Sequence, residues 1–319
     1  MPILLAQHSL LLFRITSYLK NIPMPKPIQL FFQKAGLQTS LQDLGRWGHQ
    51  HLGIPVGGAM DVEAAKKANW LVGNPPNTPL LEITLMGPKI EFEGTAQIAL
   101  TGANISPIIN KEKAPMYQTI QVQNKTSLHF GRLKKGCRAY LAIGGSWQVA
   151  EWLSSSSPIF SGQTALLAQN IIHAKHRLCI HPRQFIITRR IPKDLRPSFP
   201  NHLQLKTFPG PEFDFFSRTS IAVFFSHQHI ISNDSNRMGY RLKSILPHFQ
   251  VHKELISSGI VPGTLQISNA GQPILLMKDA PTTGGYYRLA NVHSSELDKV
   301  AQLKPGDSVS FWLDIQGIK

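Results

Sequence analysis

The chain has 319 residues, 42% hydrophobic and 16% charged, a globular balance that excludes a disordered or fibrous protein and suffices for one large domain or two lobes. Its 33 basic residues exceed its 18 acidic ones by 15, yet they are scattered, with no run of five like charges and no nucleic-acid module. A generally basic surface is therefore expected, with neither nucleic acid nor a membrane as partner.

Residues 1–23 stand apart. Leu10 to Phe13 form an apolar patch, but Arg14 and Lys20 follow it, and the patch falls short of the roughly 20 residues a span needs, so neither a signal peptide nor a membrane anchor is expected. Met24 opens Met24-Pro25-Lys26-Pro27 and reads as an alternative start, leaving an N-terminal extension ahead of it. Asp61 is a helix N-cap, Ala64, Ala68, Leu71 and Val72 share one face, and Gly73-Asn74-Pro75-Pro76 stops that helix. Ile90 and Phe92, then Ile98 and Leu100, alternate with polar residues on either side of Gly94-Thr95. The densest basic clusters are Arg132, Lys134, Lys135 and Arg138, then Arg189, Arg190, Lys193 and Arg196. A buried strand runs over Ala139 to Ile143 and closes at Gly144-Gly145. The stretch from His181 to Leu205, with four prolines, reads as a linker between lobes.

A second helix is predicted from Ser217 to about Ser226. Leu265 and Ile267, the turn Asn269-Ala270-Gly271, and Ile274 to Leu276 read as strand, turn, strand. A third helix follows Ser294 or Ser295 and carries Leu297, Val300 and Ala301; Val309, Phe311, Leu313 and Ile315 alternate as a last strand. The fold is mainly β: an N-terminal lobe over about 24–185, a linker over about 186–204 and a C-terminal lobe over about 205–317, with a few covering helices.

Cys137 and Cys179 make neither a disulfide framework nor a C-x-x-C site, and a reducing cytoplasm is the expected compartment. Phosphate-loop, dinucleotide, zinc-protease and nucleophile-elbow motifs are missing. His49 and His51, like His227 and His229, are spaced to share one face of a strand, but no third ligand is identified and no metal is expected.

Three segments are denser in polar and glycine residues than a scaffold requires. In the first, Asp43 and Arg46 form an internal pair, or Arg46 grips a carboxylate or phosphate; Gly57-Gly58, ahead of the helix that Asp61 caps, is either a turn or an anion cradle. In the second, Arg237, Tyr240 and Arg241 line an anionic pocket or close a turn. The third runs from Ser257 through Gln266 to Asp279-Ala280-Pro281-Thr282-Thr283-Gly284-Gly285-Tyr286. There Asp279 is a candidate base and Thr282, Thr283 and the Gly284-Gly285 backbone are candidate carbonyl or phosphate binders, against the alternative of a capped turn. The catalytic candidates are thus Asp279, Thr282 and Thr283. The binding candidates are Arg46, Gly57, Gly58, Asp61, Arg237, Tyr240, Arg241, Gln266, Gly284, Gly285 and Tyr286.

In register, Gln42-Asp43-Leu44-Gly45-Arg46, Gly57-Gly58-Ala59-Met60-Asp61, Leu81-Glu82-Ile83, Leu100-Thr101-Gly102-Ala103, Arg237-Met238-Gly239-Tyr240-Arg241-Leu242, Gly259-Ile260-Val261-Pro262-Gly263 and Thr282-Thr283-Gly284-Gly285-Tyr286 carry a resemblance. The sequence is similar, from about Met24 to Phe311, to the biotin-dependent carboxyltransferase-like family, which includes a domain of urea carboxylase and components of ATP-dependent 5-oxoprolinase. The resemblance implies a cyclophilin-like β-barrel architecture and an active site shared with a B-type carboxyltransferase-like subunit, the enzyme being completed by an A-type subunit. It implies opening of the lactam of 5-oxoproline to glutamate, with ATP and its magnesium as co-substrate and inactivity of the chain alone.

Ser156 stands where the family carries arginine, Ser258 where an acid is common, Pro281 where glutamine and Tyr287 where proline is common, and the glycine-rich segment after Ser161-Gly162 is eroded; these departures bear on substrate identity. Two other functions remain open. One is a carboxyltransferase acting on a urea-like amide, with biotin on another chain, because Met277-Lys278 lacks the second methionine of an attachment site and is expected inside a strand. The other is a regulator that binds an inhibitor of a sensor kinase.

Overall fold

A computed structural model describes residues 26–314, apart from 162–163, 184–185, 248 and 250–254. The N-terminal extension, Met24, Gly162 and Ile315 lie outside the described residues. The protein is mainly β, with curled half-barrel sheets and three α-helices among the described residues.

Two antiparallel sheets come from the first part of the chain. One has the spatial order Gly145–Gln148, Arg177–Pro182, Ile28–Lys34, Lys89–Glu93, Thr126–Phe130, Pro107–Ile109, Glu112–Lys113; the other runs Gln38–Gln42, Leu80–Thr84, Lys135–Ile143, Ala96–Asn104, Thr119–Val122. Leu30, Phe32, Ile90 and Phe92 of the first pack against Leu41, Ile83, Ile98, Leu100 and Leu141 of the second. Each such side chain contributes about 1.5–3 kcal/mol on leaving water. The period-two runs on either side of Gly94-Thr95 do form strands, but they join different sheets: Lys89–Glu93 pairs with Ile28–Lys34, and Ala96–Asn104 with Lys135–Ile143.

The helix Val62–Leu71 covers the outer face of the second sheet. Asp61 caps it by accepting from the Ala64 N–H at 2.8 Å, and Ala64, Ala68 and Leu71 pack on Ala99, Tyr140 and Ala142. Both faces of Lys135–Ile143 are thereby covered, which is why its residues from Gly136 onward are all buried.

The third sheet has the order His229–Ile230, Ser308–Leu313, His202–Pro209, Tyr287–Val292, Thr264–Ile267, Pro273–Leu276, Gly239–Arg241, with a parallel pairing of His202–Pro209 and Ser308–Leu313. The strand His202–Pro209 opens within the stretch read as linker. The helix Arg218–Ser226, capped by Ser217, lies over this sheet's core. The third predicted helix is a 3₁₀ turn, Ser294–Glu296, running into Leu297–Val300.

Neither histidine pair shares a strand. His51 lies in the 3₁₀ turn Gln50–Leu52 with His49 as its N-cap, while His229 is buried, stacked on Phe224 at 4.3 Å and hydrogen-bonded to Ser244, and His227 is exposed. Met277-Lys278 follows the strand Pro273–Leu276 instead of lying inside it, because the chain turns there to present Asp279. No helix among the described residues is long and apolar enough to cross a membrane.

Candidate functional site

The site starts with two glycines that let two loops touch. Asp43 to Arg46 and Val56 to Ala59 are held together by the Arg46 N–H on the Val56 carbonyl, 2.9 Å, and the Ala59 N–H on the Asp43 carbonyl, 2.8 Å. A Cβ on Gly45 would lie 2.6 Å from the Val56 carbonyl oxygen, and one on Gly58 2.7 Å from the Gly45 nitrogen, at φ +87° and +89°. No L side chain fits either position.

Asp43 and Arg46 do not pair directly. Asp43 accepts from the Gly45 N–H at 2.8 Å, the Ser155 and Ser157 hydroxyls at 2.7 Å each, and the Ser156 N–H at 2.6 Å. Ser156, where the family pattern has arginine, is fully buried in this turn. The Arg46 guanidinium is 1% exposed, donates through Nη2 to the Ser157 carbonyl, and lies 5.6 Å from the Trp152 ring centroid. Its Nε and Nη1 have no partner among the described residues. Burial lowers its pKa against the pull of Asp43 and then Asp279. Gly57 sits directly over this free end: a Cβ there would be 3.4 Å from Arg46 Nη1 and 3.7 Å from Asp279 Oδ1. Among the described residues the Gly57 and Gly58 N–H groups donate to nothing.

Arg237 is buried between the second and third sheets, just ahead of the strand Gly239–Arg241. It donates to both oxygens of Asp279 (Nε–Oδ2 2.7 Å, Nη2–Oδ1 2.9 Å), to Glu82 Oε1, and to the Gly58 carbonyl at 2.6 Å. Asp279 is 2% exposed and commits both oxygens to this arginine, so in this arrangement it orients its neighbours and is not a free base. Burial would lower the Arg237 pKa, but Asp279 and Glu82 raise it instead. Glu82 also accepts from the Met60 N–H and the Tyr140 hydroxyl, both at 2.8 Å. Burial would raise Glu82, yet Arg237, Arg138 and these hydrogen bonds hold it below the ordinary value.

The other predicted residues fall elsewhere. Tyr240 is not a ligand-facing side chain: it is buried, with its hydroxyl accepting from Arg138 Nη1 at 2.6 Å and donating to the Leu303 carbonyl. Its pKa is pushed up to about 12, by burial first, with Arg138 opposing. Asp61 is engaged by its helix and by Gln302 Nε2 at 2.7 Å; burial outweighs both bonds and raises it to about 7. Arg241, Gln266 and Tyr286 line a separate cleft of about 190 Å³ with Pro281. Gln266 Nε2 is buried without a partner, 2.8 Å from where a Cβ on Gly284 would lie. Thr283–Gly284 pairs with Ser258–Gly259 as a short exposed ribbon, and the Thr282 carbonyl accepts from the Ile260 N–H at 3.0 Å; Gly285 is exposed beyond it. The candidates thus form a buried centre of Arg46, Gly57, Gly58, Arg237 and Asp279, and an outer cleft reached two residues later at Pro281.

Residues 52–313 match the carboxyltransferase domain family, subdomains A and B. The chain belongs to this family. The C-type subunit of 5-oxoprolinase from Escherichia coli is 34% identical over 280 residues, covering 87% of this chain and 89% of that protein. Urea amidolyase of Saccharomyces cerevisiae is 29% identical over 321 residues, 93% of this chain but 17% of that longer one. The crystal structure of K. lactis urea amidolyase superposes with a TM-score of 0.81 at 28% identity, covering 92% of this chain and 19% of that one.

Sequence reasoning left out of the site several residues that this family member buries beside it. Glu82 is the only charge in the fully buried strand Leu80–Thr84, a signal visible as one acid inside Leu-Leu-Glu-Ile-Thr. Arg138, counted with a basic surface cluster, is 3% exposed and donates to the Ala301 carbonyl at 2.6 Å. Gln302 bonds Asp61 and the Arg138 carbonyl, and nothing in its sequence context marks it. Lys278 is half-buried beside the network, and burial lowers its pKa against the pull of Asp298.

Proposed function

We propose that the chain is a subunit of an ATP-dependent 5-oxoprolinase that opens the lactam of 5-oxoproline to L-glutamate in the cytoplasm. The observation that carries this reading is the buried Arg46 with two unused donors under Gly57, next to two idle backbone N–H groups. Uncompensated N–H donors in a dry setting suit an amide oxygen that gains negative charge, or the phosphate it becomes attached to. The likeness to the Escherichia coli 5-oxoprolinase component along nearly all of both chains supports the same reading. The donor set fits ATP chemistry in kind: ATP supplies the phosphoryl group that makes the lactam oxygen a leaving group, and Arg46 with the Gly57 and Gly58 N–H groups holds the oxygen. Asp279 and Arg237 keep Gly58 and the loop in place through the Gly58 carbonyl.

The three carboxylates of the buried centre are all engaged: Asp43 by serines, Glu82 by two arginines and a tyrosine, Asp279 by Arg237. None of these three is free to handle the proton, which accords with a partner subunit supplying that group. Trp47, next to Arg46 in sequence, is 67% exposed and provides an apolar contact for a B-type subunit, and an A-type subunit makes up the rest of the enzyme. The test is glutamate and ADP release from 5-oxoproline by the purified chain, by its partners, and by the three together. Only the assembly should be active; a verified assembly of all three that makes no glutamate from 5-oxoproline and ATP sinks the reading. The similarity to urea amidolyases favours a second reading, carboxyl transfer from a biotin carrier on another chain to a urea-like amide. Activity that needs bicarbonate and such a carrier would select it.

A further inference from the structure

Members of the two basic clusters that the buried centre does not use converge on one cavity. Lys134 and Lys135, where the strand Lys135–Ile143 begins, meet Lys113 and the linker residue Arg196 around a space of about 440 Å³. Small-molecule sites commonly enclose roughly 300–1,000 Å³. Among the described residues none of these four cations has an ion-pair partner. Lys113, Lys134 and Lys135 are exposed and Arg196 is half-buried, so together they give the cavity mouth a positive potential that attracts an anion.

The cavity wall is also built with some rigour. Tyr117 has φ +61°, a left-handed conformation that a bulky residue adopts only under constraint. Three bonds hold it there: its N–H on the Leu100 carbonyl at 2.8 Å, its hydroxyl on the Gly102 carbonyl at 3.0 Å, and its own carbonyl accepting from the Ile191 N–H at 2.9 Å. Arg196 lies over the ring, 5.3 Å from its centroid, and Phe199 lines the same space. Arg196 covers the buried Tyr117 ring, so half-buried Phe199 is the aromatic surface this lining offers beside its cations, which suits a ligand that is anionic and flat in part.

We propose that this cavity binds a nucleoside phosphate, with Lys113, Lys134, Lys135 and Arg196 recognising the phosphates and Phe199 recognising the base. The anion follows from the cavity alone; the nucleotide class rests on the ATP dependence proposed above.

Calorimetric titration of the full chain with ATP, ADP, AMP and pyrophosphate tests it, alongside Lys134→Gln/Lys135→Gln and Phe199→Ala. Affinity should rise from AMP to ATP and weaken with salt. The double variant should lose at least about tenfold for each cation removed. Phe199→Ala should weaken ATP while leaving pyrophosphate unchanged. No ATP binding by the wild-type chain, or equal binding by the double variant, would overturn the site; pyrophosphate binding as tightly as ATP would overturn the nucleoside class. ATP binding that disappears in the double variant supports the site even if the assembled complex makes no glutamate, in which case only the 5-oxoprolinase reading fails.

Discussion

Replacing Arg237 with methionine removes one cation from between two buried carboxylates while keeping most of the side-chain volume. In the native protein this arginine is 3% exposed, binds Asp279 through two hydrogen bonds, reaches Glu82, and satisfies the Gly58 carbonyl. Glu82 keeps Arg138 at 3.7 Å and hydrogen bonds from Met60 and Tyr140. Asp279 keeps no direct partner for its side chain, and the Gly58 carbonyl is left bare. Stranding a buried charge costs about 3–5 kcal/mol, a large share of the roughly 5–15 kcal/mol that stabilises a folded domain. Urea unfolding followed by tryptophan fluorescence should show a fall of that order, with a matching drop in melting temperature.

A second substitution gives a sharper readout of the same pairing. Adding Asp279→Asn to the Arg237→Met variant removes the stranded charge and should restore about 1–3 kcal/mol as a coupling energy. A variant within about 1 kcal/mol of the native protein, or one that Asp279→Asn does not rescue, would refute the argument that these groups act as a closed pair.

Asp61 predicts an inverted acid response. With a native pKa of about 7 against an ordinary 3.8, set mainly by burial, it keeps its proton in the native state where the unfolded chain has lost it. Its contribution is full below about pH 4 and falls as pH rises to about 7, by up to about 4 kcal/mol; Asp61→Asn should flatten that profile in thermal melts. Gly58→Ala, at φ +89° with its Cβ 2.7 Å from the Gly45 nitrogen, should cost more than Gly48→Ala, at φ +91° with nothing within 4 Å. Roughly 1 kcal/mol is expected for Gly48 and several for Gly58, by urea denaturation; equal costs would mean the loop crossing is soft. Arg46→Lys keeps the charge but not the fork, and should lower the turnover of the assembled enzyme about 100-fold or more with little change in binding of the partner. Unchanged turnover would remove Arg46 from the site.

The elements were legible wherever pattern and local chemistry coincide. Asp61 and Ser217 declare their helices through capping, and the turn at Asn269-Ala270-Gly271 declares its hairpin. Sheet partnership was less legible, because alternation fixes which face of a strand is buried but not which strand lies beside it: the runs flanking Gly94 look like a hairpin and belong to two sheets. The site residues divided along a similar line. Arg46, Gly57, Gly58, Arg237 and Asp279 come together from segments read as candidates, yet the sequence did not show that Asp279 is taken up by Arg237 or that Tyr240 is taken up by Arg138. Residue type shows what a side chain can bond; only the fold shows what it has already bonded.

That distinction bears on how the buried centre works. Three arginines, at positions 46, 138 and 237, face three carboxylates, at 43, 82 and 279, so the net charge taken out of water is close to zero. Burying six charges is costly even when balanced, and an apolar replacement of similar volume would often be more stable. The arrangement is therefore better understood as fixing one geometry between the second and third sheets than as adding stability: Arg237 and Arg138 tie the strand Gly239–Arg241 and the segment Ala301–Leu303 to Glu82 and Gly58. Within that set, Arg46 is buried with two donors unused, whereas all three nitrogens of Arg237 are engaged and the unpaired Nε of Arg138 still faces Glu82. A network that fixes its members and leaves one arginine half-used places its free bonding capacity at a single point, beneath Gly57, where only the absence of a side chain leaves room for another oxygen.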